Sequence, residues 1–184
     1  MRNAIFAINT TLDGCCDHTK QIADDESHEY FTHILREVDM LVFGRKTYQL
    51  MVPFWSEVAK SQSMTKASNE FARAFDSTNK IVFSRSLGSA EDKSTRIVRT
   101  NLHDEILKLK QEQGKNILVG GVDIPSQLIE LGLVDEYRFV VGPIVVGEGR
   151  RLLEGVSLRE RLQFKLVESK NFKSGCVALR YLKQ

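Results

Sequence analysis

The feature that most constrains the fold is a repeated alternation of short apolar runs with stretches of helical periodicity. Residues 5–10 read as a buried strand, closed by the turn Thr11-Leu12-Asp13-Gly14. The next segment sets Tyr30, Phe31, Ile34, Leu35 and Val38 at the spacing of one helix face. Asp24, Asp25 and Glu26 stand at its start, where carboxylates favour the positive end of the helix dipole. Residues 40–43 form a strand that runs into Gly44-Arg45-Lys46-Thr47, the opening of a short helix. A helix over 67–75, strands over 80–84 and 96–98, a helix marked by Leu102, Ile106 and Leu109, and a strand over 117–119 follow. Continuous apolar strands separated by helices predict a largely parallel sheet covered on both faces. The C-terminal part breaks the pattern, because 162–172 and 176–182 flank Lys173-Ser174-Gly175 as an antiparallel hairpin. The expected fold is therefore α/β, with a mostly parallel mixed sheet and an antiparallel C-terminal edge. No repeat or linker divides the 184 residues, so a single domain over 1–184 is expected.

Composition serves mainly to exclude. A net charge of +2, without a dense Lys/Arg run, argues against a nucleic-acid surface. No apolar stretch approaches the length of a membrane span, and the N-terminal run lacks the exit of a signal peptide. A cytoplasmic protein is expected. Cys15, Cys16 and Cys176 are an odd number, and the first two are adjacent, which argues against a disulfide framework. Neither His nor Cys spacing matches a zinc site, and no metal is expected. Cys15 and Cys16 read as small loop residues, since no base is patterned beside them.

Function is written in the turns after the strands, where open parallel sheets bind ligands. Asn116-Ile117-Leu118-Val119-Gly120-Gly121 is a strand ending in two glycines ahead of a helical segment. Such a turn lets backbone approach a phosphate, with free N–H groups at the helix start facing its charge. Gly44-Arg45-Lys46-Thr47 offers amides, a hydroxyl and a guanidinium for the same purpose. Ser84-Arg85-Ser86 combines two hydroxyls with a guanidinium, which suits the monophosphate that separates NADP from NAD. Thr11, Asp13 and Gly14 border the place for a nicotinamide. Together these turns predict a dinucleotide site.

These segments resemble the dihydrofolate reductase-like superfamily, and within it the stand-alone bacterial proteins related to the reductase domain of the bifunctional riboflavin-biosynthesis deaminase/reductase. The match is carried by Leu12-Asp13-Gly14, Val42-Phe43-Gly44-Arg45-Lys46-Thr47-Tyr48 with Phe54-Trp55, and Lys80-Ile81-Val82-Phe83-Ser84-Arg85. It continues through Gly120-Gly121, Leu133-Val134-Asp135-Glu136 and Pro143-Ile144-Val145-Val146-Gly147-Glu148-Gly149, in family order over nearly the whole length. The resemblance implies a three-layer α/β/α domain that binds NADPH. It implies that Gly44, Arg45 and Thr47 contact phosphate, that Ser84 and Arg85 contact the ribose phosphate, and that Gly120 and Gly121, continuing into Val122 and Asp123, form the pyrophosphate loop. Ala7 would offer backbone groups to the nicotinamide amide. Dihydrofolate reductases carry a proline- or tryptophan-bearing stretch ahead of the first helix, whereas residues 16–24 here have neither. The zinc deaminase signature of the bifunctional enzyme is also absent from this sequence. The resemblance thus reaches the cofactor half of the site and not the substrate half.

Hydride transfer needs positioning and often a proton donor. Asp13 is the candidate catalytic residue, with Asp24, Asp25, Glu26 and His28 as further donors that also suit capping or surface roles. Tyr48 and Trp55, with Phe54, suit either a wall against a flat substrate ring or core packing. Arg150-Arg151 is read as a helix start, either solvated or facing an anionic substrate group. The expected activity is an NADPH-dependent reductase acting, as a homodimer, on a small heterocyclic or carbonyl substrate, pterin-like or ribosylaminopyrimidine-like. The alternative is a ligand-binding module of the same fold without turnover.

Overall fold

The computed structural model describes residues 1–90, 92–158 and 160–184. An eight-stranded sheet carries helices on both faces. The strands are β1 (Ala4–Thr11), β2 (Val38–Gly44), β3 (Asn79–Phe83), β4 (Thr95–Val98), β5 (Asn116–Val119), β6 (Glu136–Gly142), β7 (Phe164–Asn171) and β8 (Val177–Lys183). The helices are α1 (Asp25–Glu37), α2 (Arg45–Ser61), α3 (Lys66–Ser77), α4 (Leu102–Gln111) and α5 (Asp123–Glu130), with a 3-10 turn at His18–Lys20. The spatial order is β4-β3-β2-β5-β1-β6-β8-β7. The pairings from β4 through β6 are parallel, and β8 and β7 close the sheet antiparallel. The expected mixed sheet with its C-terminal hairpin is what forms.

Successive residues of the central strands serve opposite layers, because side chains alternate along a strand. Ile5 and Ala7 join Leu41, Phe43, Val82 and Leu118 under α1, α2 and α3. Ala4 and Phe6 join Val42, Ile81, Ile117 and Val119 under α4 and α5. Phe6 is fully buried, edge-on to Tyr137 at 6.2 Å and to Phe139 at 5.9 Å. Truncating such a ring to alanine costs about 3–5 kcal/mol.

Three elements differ from the sequence expectation. The helix after Gly44 is not short: α2 runs 17 residues and carries Pro53 inside it. Burial of Tyr48, Val52 and Val58 on one face holds it together across the proline, which removes a backbone donor. Val38 opens β2 instead of ending α1. β6, not read as a strand, carries two buried charges that interrupt its apolar run. Glu136 receives hydrogen bonds from Arg138 and Arg180, and Arg138 also reaches Glu37 on α1. Paired and hydrogen-bonded, these charges are tolerated inside.

A cleft between two uncapped helices

The carboxyl ends of β2, β3 and β5 converge on a cavity of about 330 Å³, within the range of small-molecule sites. β2 ends at Gly44, which is also the residue before α2 and has no side chain to cap it. β5 ends at Val119, and the Gly120 amide donates to the Val42 carbonyl at 2.9 Å, pinning the glycine pair beside β2. Gly121 has φ +84°, and a Cβ there would collide with the Thr47 hydroxyl of α2. Only glycine meets both demands without strain. α5 then opens at Asp123, and Val122 supplies no capping hydrogen bond. After β3, the Ser84 hydroxyl accepts from the Ser86 and Leu87 amides at 3.3 and 3.0 Å, folding a turn that leaves Arg85 exposed.

Two helix starts with free N–H groups therefore face one cavity, where their dipoles favour an anion. Arg45, Lys46 and Arg85 line it as well. Arg85 makes no hydrogen bond or ion pair with any described residue, and Arg45 makes one long contact of 3.4 Å to Gln49. Asp123 is the one carboxylate in the lining, and Arg150 is bound to it. The Arg150 hydrogen bond holds the Asp123 carboxyl below its ordinary pKa. The cavity thus brings together Gly44, Arg45, Thr47, Ser84, Arg85, Gly120, Val122 and Asp123, with Gly121 against its Thr47 wall. Lys46, Phe83 and Ile124 also line it and were not singled out from the sequence, although Lys46 lies in a turn that was. Helix starts without side-chain caps, a glycine pair and three cations together make this cavity suited to an anionic group.

Ala7, Thr11, Asp13 and Gly14 belong to β1 and its turn, outside this lining. The β1–β5 ladder ends at Phe6 opposite Val119, so Ala7 is the first β1 residue past the end of β5. Asp13 is fully engaged. It accepts from the Thr11 hydroxyl at 2.5 Å and from the Val146 and Gly147 amides at 3.3 and 2.8 Å. Arg151 also reaches it, at 3.6 Å. The Thr11 hydroxyl and the Gly147 amide pull its pKa down to about 2, which keeps it ionised at any ordinary pH.

The other candidate donors are committed to local structure. Asp24 accepts from the Ser27 amide as the cap of α1, Asp25 from the Thr65 hydroxyl, and Glu26 from the Lys173 amide. His28 meets Ser68 at 3.2 Å and lies edge-on to Trp55 at 5.5 Å, and burial holds its pKa below the ordinary histidine value. Tyr48 is only 3% exposed, near Phe43 in the core, and Trp55 packs on Phe71 at 4.6 Å. Of the two alternatives, Tyr48 and Trp55 thus take core packing on the inward face of α2, while Phe54 is exposed. Arg150 and Arg151 do not start a helix. They lie on an extended strap where Arg151 bridges to Cys15 and turns follow. Among the described residues no group of His, Cys, Asp or Glu is placed to hold a metal ion, and no helix is long and apolar enough to cross a membrane.

Comparison with known proteins places this geometry in context. The family model of the RibD C-terminal domain matches residues 2–178. The uncharacterized protein YyaP of Bacillus subtilis (strain 168) is 30% identical over 184 residues, covering 98% of this chain and 94% of its own length. A structure from Shewanella sp. PV-4, provisionally assigned to riboflavin biosynthesis, superposes with a TM-score of 0.75 at 20% identity, over 99% of both chains. The diaminohydroxyphosphoribosylaminopyrimidine deaminase/5-amino-6-(5-phosphoribosylamino)uracil reductase of Thermotoga maritima superposes with a TM-score of 0.70 at 17% identity, over all of this chain and 57% of the larger one. At these identities the two structures speak to the fold.

Proposed function

The chain belongs to the RibD C-terminal domain family, and on that premise we propose that it is a reductase that uses NADPH to reduce a small heterocyclic or carbonyl compound. The observation that carries this reading is the cleft with two uncapped helix starts, a glycine pair and three cations at one sheet edge. The Gly44–Thr47 and Gly120–Asp123 turns would hold the diphosphate through backbone N–H groups. Ser84 and Arg85 would hold the ribose phosphate, the guanidinium matching it in two places. Bound there, NADPH supplies the hydride, and the chain's own work is to fix the cofactor beside β1 and exclude water. Ala7 would meet the nicotinamide amide through its backbone, and Thr11 and Gly14 would shape its border. The substrate class is a flat, polar ring of pterin or ribosylaminopyrimidine type, in keeping with the reductase activity named for the Thermotoga maritima protein.

Calorimetric titration with NADPH and NADH tests this. Micromolar binding with preference for NADPH is expected, and Arg85→Ala should weaken NADPH about tenfold while leaving NADH nearly unchanged. Equal losses for both nucleotides would remove the ribose-phosphate assignment.

One observation favours a second reading, a binding module without turnover. Each candidate donor is engaged in local structure, and Asp13 in particular stays ionised. On either reading Asp13 is better suited to hold its loop than to give up a proton. Tight NADPH binding without oxidation across pterins and ribosylaminopyrimidines would favour the module.

A homodimer is part of the proposal. β7 is exposed along all eight residues, with Leu166 at 50% and Val167 at 41% exposure, and its outer edge has no strand partner among the described residues. A second copy pairing two-fold along this edge would satisfy both backbone and apolar side chains. Light scattering should give a dimer for the native protein and a monomer for Leu166→Glu.

A further inference from the structure

Arg150 and Asp123 have a relation that the cofactor reading leaves unused. Asp123 is the one acid among three cations in the lining, and it sits on the first turn of α5, where a ligand phosphate would come. Its carboxylate is bound by Arg150, whose side chain is about half exposed, as is that of Asp123. Exposed pairs of this kind are weak and easily exchanged.

The backbone that carries Arg150 is firmly held. The Cys16 amide donates to the Arg150 carbonyl at 2.8 Å, and residue 151 pairs with Cys15 as an isolated bridge. At Gly149, with φ +98°, a Cβ would stand 2.7 Å from the Cys15 sulfur, so the strap lies directly on that residue. Arg151 is spent on Asp13, through its backbone carbonyl at 3.0 Å and its carboxylate. Arg150 alone of the two is a movable arm on a fixed post.

We propose that Asp123 is an internal stand-in for ligand phosphate, and that Arg150 exchanges this carboxylate for the diphosphate of an incoming nucleotide. The inference rests on the phosphate-cleft reading above. The guanidinium gains in the exchange, because phosphate offers it more charge and a better two-point match than an exposed carboxylate. Asp123 therefore acts as a restraint on affinity, and Arg150 as an anion-binding residue drawn from the strap that Asp13 anchors.

The test is titration of inorganic pyrophosphate and NADPH into the native protein, Asp123→Asn, Arg150→Ala and the double variant. Asp123→Asn should bind pyrophosphate about fivefold more tightly, since it removes a repelling charge and frees the arm. Arg150→Ala should bind about tenfold more weakly. In the double variant the gain from Asp123→Asn should shrink, because the arm it frees is gone. Both positions are exposed, so thermal midpoints should match the native protein. An Asp123→Asn protein that binds no tighter than native, or an Arg150→Ala protein that binds as well, overturns the exchange while leaving the cleft reading intact. A native protein that binds neither probe overturns the cleft reading, and the exchange with it.

Discussion

Among the described residues, three α-helices begin with a side-chain cap and two do not. Asp24, Thr65 and Asn101 cap α1, α3 and α4, each accepting from amides of the first turn. α2 and α5 are preceded by Gly44 and Val122, neither of which can cap. The capped helices satisfy first-turn amides with their own side chains, while α2 and α5 have no side-chain acceptor at their starts. Both open helices follow strands at the carboxyl edge of the sheet, and both face the same cleft. In the proposed function, the missing caps mark the cleft more sharply than any single side chain in it.

The contrast can be attacked from both ends. The largest effect is expected at Gly121, where valine would meet both a positive φ and the Thr47 hydroxyl. Gly121→Val should cost roughly 1–3 kcal/mol in chemical denaturation and abolish measurable NADPH binding. Next come the caps themselves. Asn101→Ala removes the acceptor for the His103 and Asp104 amides and should cost about 1 kcal/mol, with NADPH affinity unchanged. Gly44→Ser does the reverse. A Cβ there meets Ile124 at an ordinary 3.4 Å, so the hydroxyl can cap α2 and add a few tenths of a kcal/mol. It should also weaken NADPH binding, since the amides are then occupied; a serine variant that binds as well as the native protein would sink the idea that these N–H groups are kept for a ligand. The smallest effect concerns the closed side of the edge. Asp13 titrates near 2 in the folded chain, below its ordinary 3.8. Its stabilisation is therefore complete above pH 3.8 and is lost as pH falls toward 2. Thermal midpoints followed from pH 5 to 2 should fall more steeply for the native protein than for Asp13→Asn.

The sequence disclosed those parts whose physics is local. Residues 117–119 and 40–43 are apolar runs of strand length ending in glycine, and both became β5 and β2 with the cleft at their ends. The C-terminal hairpin was equally plain, since Gly175 takes φ +85° in its turn. α2 runs longer than expected because burial of Tyr48, Val52 and Val58 carries it past Pro53, which sequence periodicity alone does not show. β6 was obscured because Glu136 and Arg138 interrupt its apolar pattern, and their acceptance inside depends on their mutual bond together with Arg180 and Glu37, both far away in sequence. Tyr48 and Trp55 stand where a ring-binding wall and a helix core look alike in one dimension. Within the site, the turns were legible, but the Asp123–Arg150 pair was not, since it depends on how the strap lies across the sheet edge.

The strand order bears on how the chain acquires this structure. β1 is made first, yet its two neighbours are β5 and β6, which end at Val119 and Gly142. The centre of the sheet thus stays open during synthesis until most of the chain has emerged, and its closure requires distant segments to meet. Slow, late assembly follows, with the apolar edges of β1 and β2 exposed meanwhile to mispairing. Nascent chains stopped short of β5 should accordingly be the most dependent on chaperones.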